Sequence, residues 1–144
     1  MEHRLSPEDA AFREAFETGR VPPEQFDHRA HVRLAYVYLV EHDPEAAGAR
    51  MRSALQAYLR HHGIAPAKYH ETLTRAWILA VRHFMERSSG AASAEAFMAG
   101  HPELLNSKIM LTHYSASVLF SAEARTSFVE PDTSPIPRYS TRDR

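Results

Sequence analysis

The chain of 144 residues has the length of a single domain, and its 44% apolar and 24% charged residues are ordinary for a globular protein. A net charge of −1, with basic residues dispersed among acidic ones, supplies no field or stripe that would gather nucleic acid or an anionic membrane. With no cysteine, disulfides, thiolate nucleophiles, cysteine-based zinc sites and iron–sulfur clusters are excluded together.

Ser6-Pro7-Glu8-Asp9 supplies an N-cap serine, a proline at the first helical position and acids in the first turn. It predicts a helix to about Thr18, stopped at Gly19, with Phe12 and Phe16 on one face. Residues 19–25, which include Pro22-Pro23, read as a connector. A second helix is expected from near Asp27 to Glu41-His42. Its centre, residues 34–40, is apolar nearly all round, the mark of a buried helix, yet far short of the ~20 residues of a membrane span. Asp43-Pro44-Glu45 starts a third helix, with Met51, Leu55, Tyr58 and Leu59 on one stripe and a stop at His61-His62-Gly63. The fourth runs from about Tyr69 to Arg87 and buries Leu73, Trp77, Val81 and Phe84.

A short helix opens at Ser93 and closes at Gly100, followed by weaker helical pieces around 102–110 and 121–125. Pro131, Pro135 and Pro137 forbid a further helix, so residues 131–144 read as an extended or disordered tail. The expected fold is an all-α irregular bundle of four main helices with short C-terminal segments, in one domain over residues 1–130. Met1-Glu2-His3-Arg4 runs into the first helix without a secretory apolar region, so a cytoplasmic protein without a membrane partner is expected.

Ten histidines are many for this length, and three of them occupy informative positions. His28 and His31 are one helical turn apart and share the packing face of the second helix, while His70 extends the buried stripe of the fourth backwards from Leu73 and Trp77. Short connections make the second and third helices antiparallel, and the third and fourth likewise. The second and fourth are then parallel, and His28, His31, His70 and Glu71 meet at one end of the bundle.

Three imidazoles, or two with the Glu71 carboxylate, are the usual ligands of a catalytic metal ion with an open coordination position. Zinc would imply hydrolysis through a bound hydroxide, and iron or manganese oxidative chemistry; the sequence does not choose among these divalent ions. Glu71 is alternatively a general base, and His113, in His113-Tyr114-Ser115, is a further candidate ligand or acid–base residue. The structural alternative has His28 and His31 hydrogen-bonded to backbone or to Asp27, and His70 packed in a first turn. His61 and His62 read as partners of a helix C-terminus. Tyr58 and Trp77 read as core or pocket wall.

Phe26-x-His28-x-x-His31, the run from Lys68 through Tyr69-His70-Glu71-Thr72 to Thr74, and Phe128-Val129-x-Pro131-Asp132 carry a resemblance. On them the chain resembles, over about residues 22–132, a widespread family of small bacterial proteins of uncharacterised function. Where that family has two aromatic residues before the serine, this chain has His113-Tyr114, which counts against His113 as an essential ligand. The resemblance implies no activity. The residues themselves point to a small metal-dependent enzyme acting on a small organic molecule. The alternatives are a non-catalytic sensor of a metal or small ligand, and a helical interaction domain with core histidines.

Overall fold

Helix α1, Pro7–Glu17, starts on a reciprocal cap. Ser6 Oγ accepts the Asp9 N–H at 3.0 Å, and the Asp9 carboxylate accepts the Ser6 N–H at 3.1 Å, so donors that the first turn leaves open are satisfied locally. The computed structural model describes residues 2–137. It continues with α2 His28–Glu41, α3 Pro44–His61, α4 Glu71–Arg87, α5 Ala94–Gly100, α6 Ala116–Leu119 and α7 Ala122–Thr126. Pieces of 3₁₀ helix at Pro23–Gln25, Pro66–Lys68, Pro102–Leu105 and Ser107–Thr112 join them. The protein is all-α, without a strand among the described residues. No helix among them is long and apolar enough to cross a membrane. The single turn α6 is too short to leave a periodic pattern in the sequence, although its cap, Ser115, is an ordinary one.

The apolar run of α2 becomes the centre of the molecule. Val32 and residues 34–39 are buried, and α1, α3, α4 and α5 all pack around them. Each large side chain so placed contributes about 1.5–3 kcal/mol. The two tyrosines in the run keep their hydroxyls partnered: Tyr36 donates to Arg4 O at 2.8 Å and Tyr38 to Glu17 Oε2 at 2.5 Å.

Between α2 and α3 lie only His42 and Asp43, and Asp43 Oδ1 caps the Ala46 N–H at 2.8 Å. The chain then reverses again after Gly63, whose φ of 66° suits glycine. The starts of α2 and α4 and the end of α3 line one cavity, whereas the ends of α2 and α4 line another with Asp43. Helices α2 and α4 are therefore parallel. Gly19, at φ 76°, closes α1 where any Cβ would collide with the His61 ring at the end of α3.

Residues 131–137 pass over the C-terminal helices without helical structure. The Thr133 and Ser134 N–H groups donate to His113 O at 2.9 and 3.3 Å, and Ile136 is buried. Residues 138–144 of the expected tail lie outside the described residues.

Asp9 ties three helices together. It is 1% exposed and, beyond its own cap, accepts the Ala94 N–H at the start of α5 (2.9 Å) and Arg33 Nε from α2 (3.1 Å). Burial alone would raise its pKa; the hydrogen bonds from Ala94 and Ser6 and the Arg33 guanidinium outweigh that and hold the carboxyl below its usual range. Asp9→Ala removes the carboxylate half of the reciprocal cap and takes the acceptor from the Ser6 and Ala94 N–H groups and from Arg33 Nε. Unfolding in urea should show a loss on the order of 2–3 kcal/mol at unchanged m value; a loss under about 0.5 kcal/mol would deny Asp9 this role.

Candidate functional site

Because α2 and α4 are parallel, their first turns face each other across the last turn of α3. The space left between them is a cavity of about 490 Å³, open on one side. Phe26, Leu55, Tyr58, Leu59, Leu73 and Trp77 form its apolar wall, with His28, His31 and His70 among them. Asp27, Lys68 and Ser107 lie at the exposed rim. The aromatic wall is backed by ring contacts: Phe16 stacks on Tyr58 at 4.5 Å and meets Phe26 at a tilt at 4.6 Å, and Tyr58 donates to Val21 O at 2.7 Å.

Asp27 is the N-cap of α2 and accepts the Ala30 N–H at 2.9 Å, which leaves His28 as the first helical residue and His31 one turn further on. His28 Nε2 lies 2.9 Å from Leu104 O. A carbonyl only accepts, so this nitrogen carries the proton. The ring meets Trp77 edge-on with centroids 4.6 Å apart. This is the backbone-bonded arrangement weighed for His28 in the sequence, and it leaves Nδ1 uncommitted. The His31 ring stands 6.0 Å from Phe26 and makes no hydrogen bond among the described residues. Its pKa is pushed down to about 4, first by burial and then by the proximity of His28, so the imidazole is neutral at physiological pH.

His70 departs in part from the expected placement. It is buried and lines the cavity with Leu73 and Trp77 as expected, but it precedes α4 as its N-cap instead of lying within the helix. Its Nδ1 accepts the Leu73 N–H at 3.1 Å, and its Nε2–H donates to Leu119 O at 2.8 Å. Both ring nitrogens are committed inside the fold, and the residue is 8% exposed. Burial lowers its pKa, the bond to Leu119 works against that, and the Arg125 charge adds to the lowering. A histidine cap is uncommon, which is why a place within the helix was the more natural expectation.

Glu71 is 5% exposed and is not part of the cavity wall. Its carboxylate accepts the Tyr69 hydroxyl at 2.5 Å and faces Arg52 of α3 at 3.5 Å and Arg75 of α4 at 3.4 Å. Burial, then the bond to Glu71, raises the Tyr69 pKa well above a phenol's usual range. His113 is remote from the cavity: its Nδ1–H donates to Ser134 O at 2.8 Å and holds the chain beyond Pro131. The structure thus gathers His28, His31 and His70 around one cavity and leaves Glu71 and His113 outside it. Among the described residues no three His, Asp or Glu side chains form a group that could hold a metal ion.

The partners that matter most, the carbonyls of Leu104 and Leu119, have no sequence signature, since every residue carries such a group. Arg52 was equally invisible; Arg75, four residues after Glu71, follows helical spacing. Comparison with protein-family models, with curated proteins and with solved structures finds no match to this chain.

The His31 environment has a consequence for stability. The side chain titrates near 6.5 in an unfolded chain and at about 4 in the fold. Its contribution is fully present above about pH 6.5, falls as the unfolded chain takes up protons, and changes no further below about pH 4. Between pH 7.5 and about pH 5 in chelator-containing buffer, the wild type should lose about 1–2 kcal/mol more unfolding free energy than His31→Gln. Identical losses would show that water solvates the ring.

Proposed function

We propose that this protein binds a small organic molecule in the cavity between α2, α3 and α4, with the His31 imidazole as the polar group that orients it. One observation carries the reading: His31 is the cavity imidazole with no partner among the described residues, in an environment where His28 and His70 are held by carbonyls. The cavity has the character of a ligand site, mostly apolar and aromatic with a few convergent polar groups. At a pKa of about 4, His31 is a poor general base near neutrality, so its lone pair serves recognition better than proton abstraction.

Trp77 is the chain's single tryptophan and stands in the cavity wall against His28. A fragment library read by Trp77 emission and by the NMR resonances of His31 should yield molecules that move both reporters together. His31→Ala should weaken those molecules about ten-fold while the protein stays folded. Fragments that bind without moving Trp77, or a library without hits, would remove the proposal.

A second reading retains a divalent ion. His28 and His31 stand one helical turn apart on α2 and both line the cavity, and His28 Nδ1 and His31 are both uncommitted. Zinc there would supply Lewis-acid chemistry for hydrolysis, and iron or manganese redox chemistry. On this reading calorimetric titration of tag-free protein with zinc, manganese or anaerobic iron(II) gives one equivalent, lost in His31→Ala and kept in His113→Ala. Absence of binding by all three ions would exclude it.

A further inference from the structure

The cavity wall contains a buried donor that the fold does not use. Trp77 is 4% exposed, and its indole N–H makes no hydrogen bond among the described residues. A buried tryptophan usually gives this hydrogen to an acceptor, because burial without one forfeits the bond to water. Here the nitrogen is not sealed in. The side-chain nitrogens and oxygens that are both shut off from water and unpartnered among the described residues are His62 Nε2 and Arg82 Nη2. Water therefore reaches the indole N–H, and the opening that Trp77 lines is this cavity. The neighbouring His28 ring, edge-on at 4.6 Å and bonded to Leu104 O, sets the position of the indole.

An indole N–H only donates, whereas the His31 ring can give or accept a hydrogen. A ligand that fills the cavity and strips this N–H of water must offer it an acceptor. Charge narrows the choice of acceptor. The charged side chains of the lining, Asp27 and Lys68, are exposed at the rim and of opposite sign. A carboxylate carried to Trp77 would lose its hydration without meeting a buried counter-charge. A carbonyl oxygen accepts without charge and brings no hydrogen of its own that would need a partner. Phe26, Leu55, Tyr58, Leu59 and Leu73 suit an apolar body around it. Resting on the reading of the cavity as a small-molecule site, we infer that Trp77 is a second binding residue whose indole N–H donates to the ligand, and that the ligand is an uncharged carbonyl compound with an apolar or aromatic body.

Four probes of similar carbon skeleton test this: butyrophenone, the alcohol obtained by reducing it, butylbenzene and phenylbutyrate. Binding is read by calorimetry and located by the NMR resonances of His31 and of the Trp77 indole N–H, which is unambiguous because the chain has one tryptophan. Butyrophenone should bind about ten-fold more tightly than butylbenzene and move the indole N–H resonance downfield, and the alcohol and phenylbutyrate should bind more weakly than the ketone. In Trp77→Phe, which keeps an aromatic wall, ketone and hydrocarbon should become equal; the wild-type indole resonance carries the test even if this variant does not fold. If ketone and hydrocarbon bind the wild type equally at the cavity and the indole N–H stays unmoved, the inference is wrong while the small-molecule reading stands. Preference for the alcohol would overturn the carbonyl in favour of a group that both gives and accepts a hydrogen. Preference for phenylbutyrate would overturn the uncharged ligand in favour of pairing with Lys68. If none of the four moves Trp77 or His31, the small-molecule reading falls and the inference with it.

Discussion

An α-helix leaves its first N–H groups without internal partners, and in this protein two major helices begin at the same end of the molecule. That arrangement follows from the two reversals around α3, and most of the site follows from it. The start of α2 takes the Asp27 carboxylate as its cap, and the start of α4 takes an imidazole. Once His70 Nδ1 accepts the Leu73 N–H, the proton must sit on Nε2, in a place too dry for water to receive it. Leu119, at the end of α6, supplies the acceptor. His28, in the first turn of α2, donates to Leu104 O, and Thr72 both donates to Ser127 O and accepts the Val129 N–H. The irregular C-terminal third of the chain is thus fastened to the bundle by side chains from the starts of α2 and α4, and the cavity is the space these fastenings leave.

The same bonds explain what could be read from the residues. The frame was legible because its signals are local: Ser6-Pro7 and Asp43-Pro44 place helix starts, Gly19 and Gly63 place ends, and the all-round apolar residues 34–40 mark the buried helix. The meeting of His28, His31 and His70 was legible too, because it needs only connection lengths and helix direction. Their hydrogen-bond states were not. Those depend on Leu104 and Leu119, brought in from 76 and 49 residues away by the path of the C-terminal segments, and a backbone carbonyl leaves no mark in composition or spacing. The Tyr-His-Glu-Thr run shows the difficulty well. Each residue is a familiar catalytic type, yet Tyr69 and Glu71 bond each other, His70 caps a helix, and Thr72 ties down residues 127–129. Spacing identifies which side chains share a neighbourhood; partners far along the chain decide which of them remain available to a ligand.

Availability also separates the two readings of the cavity. A divalent ion at His28 and His31 would meet little competition from protons at neutral pH, because His31 is held neutral, and this favours metal. Yet two neutral imidazoles bring no negative charge, and the buried carboxylate that would supply it, Glu71, is turned toward Arg52 and Arg75. Freeing Glu71 would break its hydrogen bonds from Tyr69 and Arg75 and its ion pair with Arg52, although water still reaches both guanidinium groups. A neutral organic ligand asks for no such movement. On that reading it displaces water from an aromatic wall held by ring contacts and exchanges a hydrogen bond with His31. On the proposed small-molecule reading the second imidazole acts indirectly: His28, bonded to Leu104 O and set edge-on against Trp77, fixes the wall beside which His31 stands.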